Sequence, residues 1–179
     1  GVGANDTVHT VAIDNNSNQF LTGNVGKIII GGTFTSAQGI SRNRIARLNA
    51  DLSLDTTFDP GTGADNIVNR AIVDAGGRVY IVGQFTTVNG TSRARIARLE
   101  VDGSLDTGFL NGLAGANDVV NEVWSLDNGD VLVAGNFTLI NGVGRRHIAR
   151  LNNDGTLDTG FVPPASVDGA IRALAVDPV

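Results

Sequence analysis

Short apolar stretches separated by Asp, Asn and Gly recur along the whole chain. The strongest are Ile28-Ile29-Ile30, Val79-Tyr80-Ile81-Val82 and Val131-Leu132-Val133-Ala134. Near-continuous apolarity over so few residues predicts strands covered on both faces, at 27–31, 79–83 and 131–135, in the middle of a stack. A segment rich in apolar and β-branched residues precedes each one, at 8–13, 68–73 and 120–126, and predicts a first strand. Tight turns at 74–77 and 127–130 join the two, because Gly and Asn accept positive φ. In the first unit the same connection, 14–26, is about nine residues longer. It carries Phe20 and Leu21, which either fold back onto the surface or offer a contact site. A polar loop then leads to third strands at 45–49, 96–100 and 148–152. An Asp-led turn starts a short fourth strand ending at Phe58, Phe109 or Phe161.

The pattern is periodic. Ile-Ala-Arg-Leu begins at Ile45, Ile96 and Ile148, each copy running through Leu-Asp-Thr to the terminal Phe. A Gly-x-Phe-Thr precedes each copy, at Gly32, Gly83 and Gly135, with Phe34, Phe85 and Phe137. Both anchors recur at steps of 51 and then 52 residues. Four strands at this period fit a blade of a β-propeller. The chain therefore predicts an all-β, propeller-type repeat domain over 1–179, with units 1–60, 61–111 and 112–163 and a partial fourth, 164–179. In that last piece the segment 171–176 repeats strand one, giving one extra strand. An apolar strand without a neighbour is an aggregation hazard unless covered, so the chain is expected to meet itself or further blades of a parent chain to close a ring. The rival fold is a β-trefoil, which also has three four-stranded repeats.

Composition agrees with the strands and narrows the function. The 24 Gly and 16 Asp against 2 Glu, 1 Lys and no Met favour turns over helices. Net charge is -5, and nine of the thirteen basic residues lie in the repeated segments, so no nucleic-acid footprint forms. Without Cys there is neither a disulfide nor thiol chemistry. No run is long enough for membrane insertion, and 1–10 lacks the marks of a signal peptide. The missing initiator Met predicts a mature or excised piece.

The combined motif, Gly-x-Phe-Thr followed by Ile-Ala-Arg-Leu-Asn-x-Asp-Gly-x-Leu-Asp-Thr-x-Phe, resembles the delta-60 repeat family of bacterial proteins. The first unit departs from it, with the insert and with Leu52 where the Gly of the Asp-Gly turn belongs. The resemblance implies propeller blades in large secreted or cell-surface bacterial proteins, beside adhesion-like modules. It implies no enzymatic activity and no catalytic residue.

Three constellations recur and carry the candidate chemistry. Strand alternation places Arg47, Arg98 and Arg150 on the side of the preceding Ile, at least partly buried. Each then needs an acceptor, and Asp55, Asp106 and Asp158 are at hand for structural ion pairs. A ring of these Arg holding an anionic ligand is the sharper alternative. Asp51, Asp102 and Asp154 lie two residues before a Ser or Thr and four before Asp55, Asp106 and Asp158, an alternation of oxygens that either holds calcium or caps a turn. No further cofactor is implied. Arg42 and Arg44, Arg93 and Arg95, and Arg145 and Arg146 end the loop after Gly-x-Phe-Thr and fall on one face of a ring. They are either solvated charge or a site for an acidic protein or anionic glycan. Tyr80 and Trp124 sit among apolar neighbours and are expected in the core. His9 and His147 occupy unrelated positions with no catalytic motif around them. The glycosylation-type tripeptides at Asn5, Asn15, Asn89 and Asn136 are of the frequency an Asn-rich chain produces.

These residues predict a non-catalytic structural or interaction module of a secreted or cell-surface bacterial protein, making protein or glycan contacts or serving assembly. A carbohydrate-binding module is the alternative, and a propeller glycosidase or lyase the third reading.

Overall fold

A computed structural model describes residues 3–14, 26–164 and 167–176. Phe20, Leu21 and Asn15 lie outside the described residues. Among those described, every regular element is a strand, and no helix is long and apolar enough to cross a membrane.

The strands form three antiparallel sheets. The first contains β1 (Val8–Ile13), β2 (Ile28–Gly32) and β5 (Ile45–Leu48); between the last two lies a small ribbon of β3 (Ser36–Ala37) and β4 (Ile40–Ser41). The second contains β6 (Val68–Val73), β7 (Val79–Gly83) and β10 (Ile96–Leu99), with the ribbon β8 (Thr87–Val88) and β9 (Thr91–Ser92). The third contains β11 (Val120–Ser125), β12 (Val131–Gly135) and β15 (Ile148–Leu151), with β13 (Leu139–Ile140) and β14 (Val143–Gly144). In each sheet the apolar strand two is central, as its lack of alternation requires. The hairpin turn 74–77 closes because Asp74 Oδ1 accepts from the amides of Gly76 and Arg78, while Gly77 takes a φ of 79°. In the first blade Gly26 N donates to Asp14 O at 2.8 Å, as Gly77 N does to Asp74 O at 2.9 Å. The insert thus leaves the strand ends tied as in the second blade.

One expectation changes in extent. The fourth strand shrinks to one bridge per blade, Leu48 to Leu54, Leu99 to Leu105 and Leu151 to Leu157. The chain turns there because the Asp that follows caps it: Asp55 Oδ1 accepts from Thr57 N and Asp106 Oδ1 from Gly108 N, two residues on. The polar loop after Gly-x-Phe-Thr, 35–44 in the first blade, contains the two-stranded ribbon of Ser36–Ala37 and Ile40–Ser41.

Each blade has a leading face toward the blade before it and a trailing face toward the next. The trailing side chains Ile29, Ile45 and Phe58 of the first blade pack with Val68, Ala71, Val79, Ile81, Phe85 and Leu99 of the second. Tyr80, Ile96 and Phe109 of the second pack in the same way with Val120, Val123, Val131, Phe137 and Leu151 of the third. The hydrophobic core thus comprises two seams between blades and a smaller cluster within the first blade, where Ile30, Phe34, Ala37 and Ala46 are buried together. Strand one of every blade carries a bulge, between Val8 and Thr10, Val68 and Arg70, and Val120 and Glu122. Such bulges re-aim a side chain, and in blades two and three they hold Asn69 and Asn121, which reach Val120 O and Ile171 O.

Candidate functional site: the seams between blades

At the first seam Arg47 Nε donates to Asp55 Oδ2 at 2.6 Å, Nη1 to the Val101 carbonyl of the next blade at 2.7 Å, and Nη2 to Thr57 Oγ1 at 3.3 Å. The guanidinium lies 4.8 Å from the centre of the Phe58 ring. Lys27 Nζ adds a second cation to Asp55 at 2.7 Å. Burial disfavours the Asp55 carboxylate, but bonds from Lys27, Thr57 and Arg47 outweigh it and hold its pKa well below the usual carboxylate range.

The second seam repeats the arrangement. Arg98 Nε donates to Asp106 Oδ2 at 2.6 Å, and Nη1 to Tyr80 Oη at 2.9 Å and to the Asn153 carbonyl of the third blade at 2.7 Å. Its guanidinium sits over Phe109 at 4.8 Å and Tyr80 at 5.5 Å. Burial opposes the charge on Asp106, yet Arg98 and the amide of Gly108 lower its pKa. Burial pushes the fully covered Tyr80 phenol up against the opposing bond from Arg98.

The third copy is only half made. Arg150 Nε donates to Asp158 Oδ2 at 2.6 Å, and the guanidinium lies 5.2 Å from the Phe161 ring centre. Among the described residues its Nη1 meets no acceptor from a further blade. The Arg150 side chain is 35% exposed, against 3% for Arg47 and 7% for Arg98. Of the two roles expected for these Arg, the geometry displays ion pairs and carbonyl contacts across the seams.

The bulges supply a second tie that strand spacing does not reveal. Asn69 Nδ2 donates to Val120 O of the next blade at 3.1 Å, and Asn121 Nδ2 to Ile171 O at 2.9 Å. Beside them Arg70 Nε lies 3.4 Å from Glu122 Oε2, linking the first strands of blades two and three. Burial raises the Glu122 pKa against the pull of Arg70. The recurrence of Asn at 69 and 121 was the available signal, but an Asn in an Asn-rich repeat also reads as a turn former. Ile171 is the only described residue of 171–176 tied as a leading strand would begin; no strand forms there.

The remaining candidates fall elsewhere. Asp51, Asp102 and Asp154 each spend Oδ1 on the amide and hydroxyl of the Ser or Thr two residues on, at 2.6–2.9 Å, which lowers their pKa values. They face the turn, apart from Asp55, Asp106 and Asp158, and among the described residues no three metal-ligating side chains cluster. Arg42, Arg93 and Arg145 occupy equivalent places, each donating Nη1 to the carbonyl just before it. They are not an array of free cations: the Arg42 side chain is largely covered 3.7 Å from Asp59, and Arg93 is buried, its pKa pushed down by desolvation. Arg44 and Arg95 take φ of 64° and 67°, and the residue matching them in blade three is His147, at 67°, in place of Arg146. Arg44 Nη1 donates to Ala64 O across the first seam. The expected face therefore breaks its own periodicity in the third blade. Trp124 is 38% exposed, on the trailing face of the third blade and not in the core. An open cleft of about 510 Å³ lies where the first strands of blades two and three meet, lined by Asn69, Gln84, Asn121, Glu122, Asn136 and Arg172 among others.

The chain matches the family described as domain of unknown function (DUF5122) beta-propeller over residues 26–58, 77–109 and 125–161. It belongs to the DUF5122 β-propeller family. The matched segments contain strands two and three of each blade with the Arg, Asp and Phe of each seam, so the family pattern and the seam chemistry coincide. No curated protein matches the chain.

Proposed function

We propose that this DUF5122 propeller segment is a non-catalytic structural and interaction module of a secreted or cell-surface bacterial protein, built of delta-60 repeats and acting through its blade faces. The observation that carries this reading is where the repeated charges go. Arg47 and Arg98 are consumed in holding one blade to the next, each with a carboxylate on one side and a neighbouring carbonyl on the other. Glycoside hydrolysis ordinarily takes two carboxyl groups, and among the described residues Glu122 is the one carboxylate lining the polar cleft, already facing Arg70. The test is a glycan array together with a polysaccharide-hydrolysis screen of the whole chain. Neither binding nor turnover is expected. Glycan binding abolished by Arg93→Ala with Arg95→Ala would replace this reading with a carbohydrate-binding module, and hydrolysis lost in Glu122→Gln would make the protein an enzyme.

A further inference from the structure

The trailing face of the third blade has the parts of a seam without its other half. Val162, at the place of the 2%-exposed Leu110, is 71% exposed. In the finished seams the amides of Asp59 and Leu110 donate to Asp102 O and Asp154 O of the next blade, at 2.7 and 2.9 Å. The amide of Val162 has no such acceptor among the described residues. Leu132 and Ile148 are half-buried where Tyr80 and Ile96 are fully covered, and Arg150 Nη1 lacks its carbonyl. The bond from Asn121 to Ile171 O matches the one from Asn69 to Val120 O, so Ile171 stands where the leading strand of a following blade begins.

The incoming half of a seam brings two glycines against the backbone of the blade before: Gly63 and Gly115 approach the carbonyls of Asn43 and Ala94, and a second position lies in the Asp-led turn. It presents its Asp-Gly turn backbone-first to the trailing connection, and a Cβ on Gly103 would come within 2.7 Å of Asp59 N, one on Gly155 within 2.6 Å of Leu110 N. Those are backbone atoms of the same groups that make the seam's hydrogen bonds, so they cannot give way without breaking them. Blade one carries Leu52 at this position, at a φ of 67° and 56% exposed. Its other close-approach position, Gly3, has kept its glycine and faces open space. Of these two positions the turn is the one that obstructs.

We propose that the trailing face of the third blade is a docking surface for a further blade of this same repeat with Gly in its Asp-led turn, and that Leu52 excludes blade one of a second copy from the place. The inference rests on the assembly reading above. It also removes ring closure between two identical chains by ordinary blade-to-blade contact, since among the described residues the leading faces of blades two and three are already covered and blade one presents the remaining one.

Trp124 is the sole tryptophan and reports the surface directly. Ala12 and Ile72, at its register in the earlier blades, pack into the first and second seams. The whole chain is extended after Val179 by a second copy of residues 77–112, which continues the blade that Ile171 begins. Trp124 emission is expected to shift to the blue and acrylamide quenching to fall severalfold. The same extension with Gly103→Leu in the added copy should leave Trp124 as accessible as in the unextended chain. Equal burial by both extensions would overturn the role of Leu52. An accessible Trp124 with the Gly extension, or an added segment whose amides exchange as freely as an unfolded chain, would overturn the docking surface. Concentration-dependent protection of Trp124 in the unextended chain would show that a second copy is accepted despite Leu52, and would also overturn the proposal. Glycan binding or hydrolysis would sink the assembly reading while leaving the tryptophan results as they stand.

Discussion

The second seam and the trailing face of the third blade carry the same residues in different surroundings. Arg98, Asp106 and Phe109 lie under the third blade; Arg150, Asp158 and Phe161 keep the same internal bond, at the same 2.6 Å, half-buried and with no further blade over them among the described residues. The local pair is therefore a property of one blade. What the neighbouring blade adds is a carbonyl for Nη1, a donor's acceptor at the trailing connection, and exclusion of water. Those additions convert a surface ion pair, worth little, into a desolvated one that cannot lose a partner cheaply.

The sharpest way to break the comparison is to remove the ring on each side. Phe109→Ala empties a fully buried site in edge-to-face contact with Tyr80 and should cost about 3–5 kcal/mol, whereas Phe161→Ala should cost under about 1 kcal/mol, both read from urea unfolding. Equal losses would mean that the trailing face is already covered in solution. Next comes the cation. Arg98→Leu strands a buried carboxylate and should destabilise by about 3–5 kcal/mol; Arg150→Leu should cost about 1 kcal/mol or less. An unchanged melting curve for Arg98→Leu would remove the pair from the energetics of the fold.

Titration sharpens the same contrast. Asp55 and Asp106 have folded pKa values below their ordinary 3.8, so their stabilisation is fully present above that value and lost as pH falls below it. Urea midpoints followed from neutral pH to about pH 2 should fall steeply on the acid side, and Arg98→Leu should remove the share due to Asp106. A wild-type acid limb unchanged in that variant would contradict the assignment. The smallest effect is expected at the bulges: Asn69→Ala loses one bond across a complete seam, about 1 kcal/mol, and Asn121→Ala less, because its acceptor Ile171 belongs to no finished blade.

Much of this was legible in the residues. The periodic Ile-Ala-Arg-Leu and the apolar strand two mark the blades and the centre of each sheet, because both depend on side-chain alternation within a few residues. Arg98 with Asp106 was legible for the same reason: the two meet eight residues apart within one blade. The acceptor at Asn153, 55 residues away, was not, since no local pattern identifies a carbonyl that happens to lie over a guanidinium. Trp124 was misread because its neighbours in sequence are apolar, while its exposure depends on whether another blade stands against it. The regular Arg pairs of the loops failed at His147, where spacing by type concealed which residue takes the left-handed conformation.

By itself the sequence determined the unit: a β-blade of about fifty residues, the central place of its second strand, its internal ion pair and its hairpin turns. These follow from backbone propensity and alternation, which act over short separations. Only the tertiary structure decided which side chains are core. Val11 is 57% exposed while Ala71 and Val123, at the same register, are fully buried, because those strand-one positions become interior when a neighbouring blade excludes water from them, whereas Phe34 and Ala46 are covered within the first blade itself. The meaning of Leu52 was decided in the same way. As a residue it is one departure from a repeat; against the backbone of Asp59 and Leu110, where Gly103 and Gly155 leave no room for a Cβ, it becomes a steric obstacle.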